Sequence, residues 1–92
     1  MLDWLSPIID LNRAVALAML FGPAAGLEVV DVLTAEPALK AYHLLPSVRG
    51  DLLQKLGRLD EARAEFERAA SLTQNERERK LLLDRAASCA RG

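Results

Sequence analysis

The residues Gly57-Arg58-Leu59-Asp60-Glu61-Ala62-Arg63-Ala64-Glu65-Phe66-Glu67-Arg68-Ala69, GRLDEARAEFERA, decide the fold by their spacing. Leu59, Ala62, Phe66 and Ala69 recur at alternating steps of three and four, Thr73 continues the series, and charged residues fill the positions between. That is the period of a helix with one buried stripe. Gly57, just ahead of it, suits the left-handed position that follows the end of a preceding helix.

Working outward, Leu45, Val48, Leu52 and Leu56 form the same stripe in the helix that Gly57 closes. Pro46 is compatible with that helix if it starts near Leu44, because a proline in the first turn forfeits no hydrogen bond; an earlier start would kink the helix there. Downstream, Asn75-Glu76-Arg77-Glu78 resembles a capping box with asparagine as the acceptor, opening a helix expected to bury Leu82, Leu83, Ala86 and Ala90. Glu76 and Lys80 have the spacing of a helical ion pair. Upstream, Ser6-Pro7 and Gly22-Pro23 are helix starts with proline in the first turn. The first helix has a stripe of Ile8, Leu11, Val15 and Ala18, with Ile9, Leu17 and Leu20 outside it. The second has Ala25, Val29, Val32 and Leu33 on one side, opposite Glu28 and Asp31, and ends before Pro37. No segment alternates with the two-residue period of a half-buried strand. The expectation is an all-α chain of five helices.

Ninety-two residues, half of them apolar, make one small domain, residues 1–92. The net charge is −1, and the arginine-rich part, residues 57–92, balances eight Lys/Arg against seven Asp/Glu. Such balance argues against direct nucleic-acid binding, which needs excess positive charge on one face. Cys89 is the single cysteine, which forbids an internal disulfide and leans towards a reducing, cytoplasmic setting. The apolar run Ala14–Phe21 is far short of the roughly 20 residues that cross a bilayer. A soluble chain with no membrane partner is expected. Leu2-Asp3-Trp4-Leu5 reads like the end of a truncated helix, so exposed apolar surface is expected around Trp4, Leu5 and the outer side of the first helix, covered by a second copy or by the terminal helix.

Gly22 and Gly57 lie 35 residues apart, close to the 34-residue period of tetratricopeptide repeats. The hairpin of helices three and four resembles that family: Gly50 matches the small residue of its first helix, Leu53 the large apolar position, and Ala62, Phe66 and Ala69 the small-large-small series of the second. Pro46, Arg49 and Gln74 depart from its usual aromatic, leucine and proline, and the first hairpin fits only after a shift of about two residues. The resemblance implies a tetratricopeptide-like array of two antiparallel helical hairpins plus a C-terminal capping helix: repeat 1 about 7–36, repeat 2 about 42–74 and the cap about 75–90. A plain five-helix bundle is the alternative.

A narrower likeness lies in Leu11–Ala16 (LNRAVA), Gly22–Leu27 (GPAAGL) and Tyr42–Arg49 (YHLLPSVR), followed by GDLLQKLGRLDEARAEFERA. Read in order, these resemble the C-terminal tetratricopeptide-repeat domain of bacterial sigma factors of the extracytoplasmic-function (ECF) type. In that family the DNA-reading and polymerase-binding regions lie upstream. The resemblance therefore implies a regulatory protein–protein interaction module that modulates transcription initiation through the sigma core, the polymerase or a regulator. The alternative is a free-standing adaptor that forms a homodimer or binds a peptide.

In such repeats the first helix of each hairpin lines a groove. Leu44, Ser47, Asp51, Gln54 and Lys55 map onto it from helix three, and Asp10 and Arg13 from helix one. Asn12 and Arg13 interrupt an apolar helix and need partners if buried, Arg13 through helix-end carbonyls or Asp51. His43 has no second histidine or cysteine nearby and reads as a packing or hydrogen-bonding residue. Cys89 reads as an incidental surface thiol near a frayed end. Asp60, Glu61, Glu65 and Glu67 alternate with arginines as a solvated face. No nucleophile with a paired base, phosphate loop or zinc spacing is present, so no enzyme, no cofactor and no metal are expected.

Overall fold

Five helices and no strand occur among the described residues: α1 Ser6–Phe21, α2 Pro23–Leu33, α3 Leu44–Lys55, α4 Leu59–Leu72 and α5 Glu76–Arg91. The computed structural model describes residues 6–37 and 42–91, and the side chains of 11–37 and 42–90. Expectations resting on Trp4 and Leu5, and on the side chains of Ile8, Ile9 and Asp10, lie outside these residues.

Local chemistry sets the helix ends. α1 and α2 are separated by Gly22, whose φ of 104° is accessible to glycine at little cost, and Pro23 opens α2. α3 starts at Leu44, which leaves Pro46 in the first turn. It closes with a Schellman motif: Gly57, at φ 80°, donates its N–H to Gln54 O at 3.0 Å, and Arg58 N–H reaches Leu53 O at 2.9 Å. At the start of α5 the Asn75 carboxamide oxygen accepts the Glu78 N–H at 3.1 Å. The return bond of a capping box runs through an intermediary here. Asn75 N–H donates to Thr73 Oγ1 at 3.2 Å, and the Thr73 hydroxyl donates to Glu78 Oε1 at 2.8 Å. Arg79 covers the far end of α4, donating to Thr73 O at 2.9 Å and Ala70 O at 3.3 Å. It also pairs with Glu76, in place of the expected Glu76–Lys80 contact.

Each helix packs on its neighbours in the chain, whereas α1 and α3 barely touch. The result is a slab of 45 × 31 × 19 Å with its core along the successive contacts. Phe66, Leu53 and Val30 are the largest fully buried side chains. The expected stripe of α4 is buried as a set: Ala62, Phe66 and Ala69 are fully enclosed, Thr73 is nearly so, and Leu59 packs at the edge. Burial of a ring of this size contributes about 1.5–3 kcal/mol. Gly50 makes room for it, since a β-carbon there would stand 2.9 Å from Phe66 Cε1. Arg49, where the repeat pattern usually has leucine, binds α2, α3 and α4 together: its Nε donates to Asp31 Oδ1 at 2.8 Å, and a terminal nitrogen lies 3.3 Å from Glu65. Glu65 is thereby drawn out of the solvated face expected for it.

In α3, Leu53 is fully buried in place of Leu56, which is exposed beyond the helix end, and three further stripes are rotated from their expected positions. In α2 the buried residues are Gly26, Leu27, Val30 and Leu33, while Val32 is exposed. The cause is the approach of α1, whose Ala14 O and Ala18 Cβ would lie 2.8 and 2.7 Å from a β-carbon at position 26, so the glycine face must turn inward. In α1, Leu11 and Ala14 are buried and Val15 is partly exposed. In α5 the core face is Leu82, Ala86 and Cys89, and Leu83 and Ala90 face outward. Cys89 is thus a buried apolar residue, not a surface thiol. Cysteine behaves as a small hydrophobe, and counting it as one yields the observed stripe.

A candidate protein-binding groove

α1 and α3 each pack on α2 but barely on one another, and a channel opens between them. Its cavity measures about 290 Å³. Val15, Ala18 and Met19 of α1 form an apolar wall, Val48 and Leu52 of α3 the floor, and Ser47, Asp51 and Lys55 a polar wall one turn apart along α3. Pro23 of α2 completes the lining. A shallower hollow of about 220 Å³ continues between α3 and α5, where His43, Leu44 and Ser47 face Glu78, Leu81 and Leu82.

The residues read from the sequence as a groove divide accordingly. Ser47, Asp51 and Lys55 share the α1–α3 channel, and Leu44 joins Ser47 in the α3–α5 hollow. Gln54 is turned towards α5 and accepts a hydrogen bond from Arg85 at 2.6 Å. Arg13 is exposed, as is Asn12, and lies in a separate hollow with Glu28, Val29, Val32 and Leu33. The side chain of Asp10 lies outside the described residues.

Several polar groups of the channel are already engaged within the fold. Ser47 donates its hydroxyl to His43 O at 2.8 Å. Asp51 pairs with Lys55 at 3.0 Å and with Arg85 at 2.9 Å. Burial alone would raise the Asp51 carboxyl, but the hydrogen bonds and charges of Arg85 and Lys55 outweigh it and hold the group below its ordinary value. Arg85 also stacks over Phe66, 4.5 Å from the ring centroid, so a groove residue and the core share one cation. At the other end His43 Nε2 comes within 3.1 Å of Glu78 Oε1 and is shut off from solvent. The contact has the distance of an ion pair but not the geometry of a hydrogen bond. Outside the channel, Glu61 is bound by Arg58 through two hydrogen bonds, which lower its carboxyl. Glu67 pairs with Arg63.

The apolar wall and Arg85 were not foreseen from the sequence. Val15, Ala18 and Met19 lie in Ala14–Leu27, fourteen residues without a charge, and that was the available signal. Arg85 had none, because it acts across 34 residues of sequence. Among the described residues no three His, Cys, Asp or Glu side chains converge as a metal site, and no helix is long and apolar enough to cross a membrane.

No protein-family model matches the chain, and no solved structure matches it. The chain is similar to an uncharacterized protein of Rhizobium meliloti (strain 1021), with 44% identity over 70 residues. The matched stretch is 76% of this chain but 16% of that protein, so the chain spans about a sixth of its relative's length.

Proposed function

We propose that this chain is a tetratricopeptide-like protein-interaction module of an ECF-type sigma factor, and that it modulates transcription initiation by holding a segment of the sigma core, the polymerase or a regulator in the α1–α3 channel. The observation that carries the reading is the channel itself. Alternate helices line it with one apolar and one polar wall, which is the surface that stacked helix pairs offer to a peptide or helix. The positive-φ glycines 35 residues apart and the Gly50–Phe66 seam agree with the repeat reading. The order of LNRAVA, GPAAGL and YHLLPSVR is the support for the sigma-factor assignment. A relative several times longer than the matched stretch suits a module that works within a larger protein. In this reading the chain performs no catalysis and leaves promoter DNA to other regions.

Titration of the isotopically labelled chain with core RNA polymerase, and separately with the upstream regions of such a sigma factor, tests the proposal. Amide shifts centred on Val15, Ala18, Ser47 and Asp51 are expected with at least one of them. Binding to neither, or shifts confined to the outer face of α4, overturns the sigma-factor reading. Concentration-dependent self-association that produces the same groove shifts would support the free-standing adaptor instead.

A further inference from the structure

We infer that the occupant of the α1–α3 channel is an amphipathic helix whose flanking charges are acidic. This rests on the groove reading above and adds the chemistry of its partner. The α1 wall belongs to a fourteen-residue stretch with no charge, so a charged group facing it would be buried without a counterion. That side of the ligand must be apolar, and Met19, 82% exposed, offers it a flexible apolar surface.

The α3 wall sets the sign of the other side. Asp51 is its one carboxylate, and it is occupied by two cations. Ser47 donates its hydroxyl to the backbone. Lys55, in the lining, is 61% exposed, and Arg85 reaches Asp51 from α5 without lining the channel itself. The two charges that line the channel balance, but Arg85 also satisfies Asp51 from α5, so Lys55 is the charge that a ligand can share. An approaching carboxylate can share Lys55 without leaving Asp51 unpaired, because Arg85 still holds it. An approaching ammonium would have to displace a partner already in place. A ligand with one apolar and one charged side is what an amphipathic helix presents to a groove.

The experiment uses three roughly 18-residue amphipathic peptides with one Leu/Ala stripe and with Glu, Gln or Lys at the flanking positions, each titrated into the 92-residue chain at low salt. The Glu peptide is expected to bind about three- to tenfold more tightly than the Lys peptide, the range that one or two exposed ion pairs provide, with amide shifts on α1 and α3. High salt should shrink that ratio. In Lys55→Gln the ratio should fall towards unity, and in Lys55→Glu it should invert, while the Gln peptide binds as before and so reports an intact groove. Equal binding of all three peptides, or a Lys peptide that binds best, overturns the acidic assignment while leaving the groove reading standing. If no peptide perturbs Val15, Ser47 or Asp51, the groove reading fails and takes this inference with it.

Discussion

Each hairpin holds one of the chain's two phenylalanines, and the two have opposite environments. Phe66 of α4 is fully enclosed against Gly50, with Arg85 stacked on its ring. Phe21, at the end of α1, is 72% exposed beside Met19 and Leu20. The second hairpin closes around an aromatic ring and is fastened outside by Arg49 and Arg85. The first closes through small residues, Gly26 against Ala14 and Ala18, which brings the helices together and leaves large apolar side chains on the outside. A seam of small residues needs no bulky side chain, so Val15 and Met19 of α1 stay exposed and line the channel. The second hairpin is scaffold, and the first supplies the apolar wall.

Replacement of one phenylalanine in each hairpin gives the largest contrast. Phe66→Ala should lower unfolding free energy by about 3–5 kcal/mol. Phe21→Ser should stay within about 0.5 kcal/mol of the parent in urea denaturation. Similar losses at both sites would remove the distinction between scaffold and wall.

A methyl group added to each seam sharpens it. In Gly26→Ala the new carbon meets the Ala14 carbonyl, which yields only if the helices separate. A net loss of about 1–2 kcal/mol is expected, after overpacking is partly offset by better helix propensity. Gly50→Ala presses on a ring that can tilt, so its loss should be smaller. The reverse order in melting experiments would mean that the aromatic seam is the less forgiving one.

Asp51→Asn probes the polar wall and should cost under about 1 kcal/mol. The folded carboxyl sits below its ordinary value of 3.8, so it binds its proton more weakly than in the unfolded chain. It therefore contributes stability at neutral pH that is lost as pH falls through the folded value. The gap between parent and variant should hold from neutral pH down to about the ordinary value of 3.8 and close as the pH falls below it. A gap that stays constant with pH would show that the pairs with Lys55 and Arg85 carry no stability.

Helix boundaries were legible because proline, glycine and asparagine act locally. Gly57 and Pro46 occupy the positions that their backbone chemistry requires, and α4 buries the residues its spacing marks. Facing was legible only where a helix mixes charge with apolar residues, as α4 does. In α2, apolar nearly throughout, Val32 and Val30 are equivalent to a reader of sequence, and the close approach of α1 separates them. In α5 the misjudged residues were Leu83, Ala90 and Cys89, since three consecutive leucines allow several faces and only contact with α4 selects one. Of the channel lining, Ser47, Asp51 and Lys55 share one helical face and can be grouped from the sequence, whereas Val15, Ala18 and Met19 join them only through the packing of the two hairpins.

By itself, then, the sequence determined five helices, their ends and the enclosed stripe of α4, because these depend on residues within a turn or two of one another. The tertiary structure decided that Arg49 links three helices, that Arg85 crosses from α5 to Asp51 and Phe66, and that α1 and α3 stand apart over a channel. Those contacts join residues far apart in the chain, and side-chain volume and charge select them only after the helices have packed.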